Sequence, residues 1–201
     1  MKKIAGLFLI TLIIILGILI AQKSKLLNPS QAIPVKPTPT PTPTLAPALK
    51  NEVHSPDGTM KIIMQTQKKI DGLTAYSFSV AEISGKNQKL IFAKTVDQNI
   101  TISIPQNSFS PDNKYIFLEE YMGTSKTALI FKASGEAFAK EEQYLNITSL
   151  LTQSKPEYFF KKATGWASPT LVQIFISKDA SSHPSSYWFV PETKAFIGPV
   201  T

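Results

Sequence analysis

The feature that most constrains this chain is a turn-and-strand phrase used twice. Residues 54–65 read HSPDGTMKIIMQ and residues 109–120 read FSPDNKYIFLEE. In each, proline pre-sets φ, the aspartate is placed to bond nearby backbone, and Gly58 or Asn113 accepts φ > 0. A strand-like run follows at once. A third, degraded copy reads WASPTLVQIFI at 166–176, without the Asp and Gly. The serines fall at 55, 110 and 168, at intervals of 55 and 58 residues. A hairpin pattern follows each of the three phrases, as in YSFSVAEI, then SGKNQ, then KLIFAKTV. A period of this length, carrying a turn, a strand and a hairpin, predicts stacked antiparallel units.

The rest of the C-terminal region agrees. Strand-like runs lie at 60–66, 74–83, 88–96, 100–104, 114–121, 126–132, 137–141, 171–177, 186–190 and 195–197. Several alternate apolar and polar residues, the mark of a half-buried strand. Turn signals such as Asp71-Gly72, Ser134-Gly135 and Ser181-Ser-His-Pro184 separate them. Only residues 148–162 lean towards helix, and Pro156 interrupts them. The expected fold class is an all-β antiparallel domain, either blade-like repeats or a β-sandwich, with one N-terminal transmembrane helix and a disordered Pro/Thr linker.

The Ser55–Gly58 and Ser110–Asn113 tetrapeptides resemble the turns that open blade strands in WD40-like propellers. The Tol-system periplasmic propeller and the dipeptidyl-peptidase propellers are of this type. The resemblance spans roughly residues 52–200 and implies a β-propeller-like domain. It departs from the family in number, because propellers typically close with four to eight blades and about three units are visible. An open array, a ring completed by another chain, and a sandwich that reuses the turn all remain open.

The N-terminal part is of another kind. Ile4 to Ala21 form 18 residues without a charge, flanked by Lys2 and Lys3 and by Lys23 and Lys25. At a rise of about 1.5 Å per residue, a helix of this length covers about 27 Å, enough for a bilayer core. The run exceeds the apolar region of a secretory signal peptide, and Leu19-Ile20-Ala21 is a poor small-x-small cleavage site. An uncleaved signal anchor is therefore expected at 4–21, with residues 1–3 cytoplasmic. Residues 22–50 then form an extended linker. Its centre is four Pro-Thr pairs at 37–44, which favour polyproline II over helix or sheet. Residues 51–201 form the β-domain, which a short N-terminus and a large C-terminal region place outside the cytoplasm.

Charge supports this division. The chain carries a formal +7, all 21 basic residues being lysine. Residues 1–50 hold six lysines and no acid, while residues 51–201 hold 15 lysines and 14 acids. The excess belongs to the membrane-proximal part. Without arginine there is no planar fork for bidentate phosphate or guanine contacts, which argues against a nucleic-acid partner. The chain has no cysteine, which excludes disulfides, thiolate nucleophiles and cysteine metal sites.

No catalytic, cofactor or metal constellation emerges. His54 and His183 are the only histidines, and neither lies in a metal-binding motif. There is no Gly-x-Ser-x-Gly elbow and no phosphate-binding glycine loop. Ser125-Lys126 and Ser177-Lys178 are neighbours, which point to opposite faces of a strand. Asp57 and Asp112 read as turn formers rather than calcium ligands. Glu119-Glu120 and Glu141-Glu142 read as solvated strand ends. Aromatic residues crowd the last third, and Trp166 and Trp188 are the candidate binding residues should a subset be exposed. The expected function is a membrane-anchored, extracytoplasmic, non-enzymatic module that binds a protein or cell-envelope partner. An envelope hydrolase, or an accessory subunit of an envelope enzyme, is the alternative.

Overall fold

The computed structural model describes residues 48–179 and 183–198. The expected anchor at 4–21 and nearly all of the expected linker lie outside the described residues. Among those described, no helix is long and apolar enough to cross a membrane.

The domain is all-β and antiparallel, with three four-stranded sheets. The first holds β1 (Leu49–His54), β2 (Met60–Lys68), β3 (Thr74–Glu82) and β4 (Lys89–Val96). The middle sheet holds β5 (Ile100–Ser103), β6 (Tyr115–Met122), β7 (Ser125–Lys132) and the short β8 (Leu145–Asn146). The third holds β9 (Phe159–Ser168), β10 (Leu171–Ser177), β11 (Ser185–Val190) and β12 (Ala195–Ile197). In every sheet the strands lie side by side in chain order. One helix, α1 (Ile147–Ser154), follows β8, and the Asn146 side chain caps it by accepting from Ser149 N.

The repeated phrase occupies the same place three times. The turns at Ser55, Ser110 and Ser168 each lead into the second strand of a sheet. The first two are nearly superposable in their bonding. Ser55 Oγ donates to Asp57 Oδ1 at 2.7 Å and accepts from Met60 N at 2.9 Å. Ser110 Oγ donates to Asp112 Oδ1 at 2.8 Å and accepts from Tyr115 N at 3.0 Å. Gly58 and Asn113 take positive φ, 70° and 58°, as the sequence requires. At the third turn the hydroxyl of Ser168 accepts only from Thr170 N, at 3.3 Å.

The sheets stack face to face. One core joins the first and middle sheets through Val53, Ile62, Phe78, Ile116, Leu118 and Phe131. A second joins the middle and third sheets through Phe117, Ile130, Leu145, Val172, Ile174 and Phe189. The middle sheet is therefore covered on both faces. Tyr115 to Leu118 and Ala128 to Phe131 are continuous buried runs.

Three local expectations need correction. Residues 137–141 do not form a strand. They make a loop with a single bridge, Ala139 to Glu142, and β8 takes the fourth place in the sheet. The helical leaning at 148–162 holds only as far as Ser154, because β9 begins at Phe159 and pairs along β10. Each unit also has four strands rather than three. The unforeseen β1 is a polar edge with one buried residue, Val53, so period-2 alternation is nearly absent from it.

Candidate functional site

The turns of the first two units meet at one end of the stack. Asn113 Nδ2 donates to Asp57 Oδ2 at 2.8 Å and to Thr59 Oγ1 at 3.1 Å. Asp57 also accepts from the Ser55 hydroxyl and from Thr59 N. The Asn113 amide, then Ser55 and the Thr59 backbone hold its carboxyl well below the usual range. At Asp112 burial opposes ionisation, but donors from Ser110 and Lys114 outweigh it and the pKa is lowered. Both aspartates serve as ionised acceptors: Asp57 ties the two turns together, and Asp112 holds its own turn through Ser110 and Lys114.

Beside this junction lies an open groove of about 500 Å³. Met60, at the start of β2, lines it together with Tyr115 of β6 and Ala133, Ser134 and Glu136 beyond β7. Lys114 and Lys132 are also in its wall. Ala133 is fixed there by its N–H, which donates to Lys114 O at 2.8 Å. Behind the groove Tyr115 stacks between Phe138 and Trp166, with centroids 6.1 and 5.8 Å away. Burial and then the nearby Glu192, which accepts from the phenol at 3.2 Å, raise the Tyr115 pKa and keep it neutral. The groove thus has an apolar part at Met60 and Ala133, charged side chains around it, and in Tyr115 a wall residue whose ring is held in an aromatic stack.

The two candidate tryptophans have different places. Trp166 packs against the second core and donates from its indole nitrogen to Ser108 O at 2.8 Å. It supports the groove from behind through Tyr115. Trp188 stands opposite Gln173 and Ile197 in the third sheet, on the face turned away from the core. The two are not brought together.

The other titratable groups make structural pairs. Glu120 bonds Lys94 across the first two sheets at 2.5 Å. Its neighbour Glu119, on the opposite face of β6, meets Lys126 at 3.3 Å and accepts from the Tyr121 hydroxyl. Glu142 is paired with Lys194 at 2.7 Å. The Ser177 hydroxyl donates to Asp179 O at 2.7 Å, while Lys178 lies over the Tyr158 ring, so these neighbours share no site. His54 and His183 are exposed. Among the described residues no three of His, Cys, Asp and Glu gather where a metal could sit.

The groove itself was not foreseen from the sequence. The nearest signal was the paired SPD phrases, whose strand starts supply Met60 and Tyr115.

No protein-family model matches the sequence, and no curated protein does. Among solved structures the chain is similar to a protein assigned as TolB from Agrobacterium tumefaciens. The identity is 10% and the TM-score 0.36, over 78% of this chain and 63% of that one.

Proposed function

We propose that this protein is a non-catalytic binding module, anchored by residues 4–21 and held outside the cytoplasm on its Pro/Thr stalk. Its sheets serve as WD40-like blades, and its ligand is a protein partner. The observation that carries the reading is the groove beside the SPD turns. Met60 and Ala133, beside Tyr115, give it an apolar part, and Lys114, Lys132 and Glu136 offer charges of both signs at its walls. Such a surface suits an exposed loop with an apolar side chain and flanking charges. The paired carboxylates elsewhere are consistent with a scaffold rather than a hydrolytic cleft.

Photo-crosslinking in intact cells tests this. A photoreactive residue at Ser134 is expected to give one discrete protein adduct, and Lys132→Glu is expected to diminish it. The same residue at Asp71, in the β2–β3 turn at the other end of the first sheet, should give none. Absence of the Ser134 adduct, or an equal adduct from Asp71, would refute the groove as the site. Protease added to intact cells should remove the domain, and protection there would refute the extracytoplasmic placement.

A further inference from the structure

The outer faces of the two end sheets are unlike. On the third sheet, pairing sets Lys162 opposite Phe175, Gln173 opposite Trp188, and Trp188 opposite Ile197. These residues occupy the face opposite the buried Val172, Ile174 and Ile176. Phe159, opposite Ser177, adds a ring that is 57% exposed, and Ile197 is 44% exposed. The Lys162 ammonium sits 4.9 Å from the centre of the Phe175 ring. This face is a bulky aromatic ridge with one polar cluster, in which Gln173 accepts from Thr164 and donates to Ser186. The outer face of the first sheet bears no Phe, Tyr or Trp. Ala75, Ser77 and Ala93, with Gln65, Gln67 and Thr95, line a depression of about 320 Å³ on it. Tyr76 and Lys94 also bound it, but their side chains turn to the inner side, into the first core and to Glu120.

We infer that two copies of the chain join head to tail. The ridge of each third sheet packs into the depression on the other copy's first sheet, closing a ring. Number supports two copies, a count that rests on the blade reading proposed above, because β-propellers close with four to eight blades. One chain supplies three sheets, two supply six and three supply nine, so only the pair falls in that range. Area supports it as well. A four-stranded face about 19 Å wide and about 20 Å long offers about 400 Å². Two such junctions bury about 1,600 Å² in all, the size of a standard stable interface. The packing mode continues the one that already joins the three sheets. Gln173 keeps an N–H and a lone pair to meet the hydroxyls and amides of the depression. A symmetric pairing of ridge on ridge would bury only about 800 Å² and would set the two Lys162 side chains against one another.

The chain has no cysteine, so introduced thiols report alone. Full-length chains carrying Ser77→Cys and differently tagged chains carrying Ser186→Cys would be co-expressed. They would then be treated in cells with a bismaleimide spanning about 10 Å, the separation of packed sheets. A mixed pair is expected, with no pair from either variant alone. A pair from Ser186→Cys alone, or no pair in any combination, overturns the ring. Sedimentation of the full-length protein is expected to give twice the 22.1 kDa chain mass. Trp188→Glu and Ser77→Lys should each weaken association at least tenfold, with unchanged circular dichroism. Should Trp188→Glu not fold, Ser77→Lys decides. A single-chain mass for the unaltered protein, or an unchanged mass in Ser77→Lys, also overturns the inference. Lys132→Glu, in the groove, should leave the mass unchanged, so failure of the partner reading and failure of the ring are told apart.

Discussion

The middle sheet and the end sheets share one strand order but are buried differently. β6 and β7 of the middle sheet present four consecutive buried residues each, Tyr115 to Leu118 and Ala128 to Phe131. In the first sheet β3 alternates from Thr74 to Phe78, with Tyr76 and Phe78 in a core and Ala75 and Ser77 half-buried. It is then buried from Phe78 to Ala81, where the residues on the outer side are the small Ser79 and Ala81. In the third, β10 buries Val172, Ile174 and Ile176 and turns Gln173 and Phe175 outward. A strand covered on both sides carries bulky apolar residues on both, and one covered on a single side carries small or polar residues on the other. In the first sheet, position in the stack therefore shows in the type of residue on the outer side rather than in burial alone.

The sharpest way to break the contrast is a cavity in the middle sheet. Phe117→Ala is expected to cost about 3–5 kcal/mol, read as a lower urea midpoint at unchanged slope. An effect below about 1 kcal/mol would mean that the sheet is not packed on both faces. Next comes the turn hydroxyl. Ser110 is fully buried and serves both Asp112 and Tyr115 N, so Ser110→Ala should cost about 1–3 kcal/mol. Ser168→Ala, at the degraded third turn, should cost under about 1 kcal/mol. Equal costs at the two serines would remove the distinction between full and degraded copies.

Acid offers a further test at the turn junction. The folded pKa of Asp57 is depressed below its ordinary 3.8. Its stabilisation is therefore present above the unfolded value and is lost as pH falls below about 4 towards the depressed value. Asp57→Asn should flatten this acid limb in urea midpoints measured against pH, and an unchanged limb would exclude the carboxylate as its source. The smallest effect is expected on the outer face of the first sheet. Ser77→Ala should change stability by no more than about 0.5 kcal/mol by the same urea measurement, and a larger loss would mean that the face is not open in the single chain.

Much of this architecture was legible in the chain. The SPD phrases marked the junction into the second strand of the first two units, and the weaker Ser168 copy marked the third. The alternation in Tyr76-Ser-Phe-Ser-Val80 gave β3 its sides. Other elements were not legible, for physical reasons. β1 is a polar edge, and only Val53 reports its burial. β9 begins in a Lys- and Phe-rich stretch with no clean period, and its register along β10 shifts at three places. The groove was hidden because Tyr115 and Ala133 meet through the pairing of β6 with β7, and Met60 joins them only when the first sheet stacks on the middle one.

The two tryptophans mark the boundary between what the chain settles and what the fold decides. Turns are local: a proline, an aspartate and a residue able to take positive φ determine them within five positions. The uneven charge and the apolar N-terminal run are likewise properties of the sequence alone. The fate of an aromatic side chain is not local. Trp166 is locked behind Tyr115 and Trp188 faces outward, because strand register and the neighbouring sheet choose which side is covered. Sequence determined that strands would form and turn. Tertiary stacking decided which of their faces would meet another sheet.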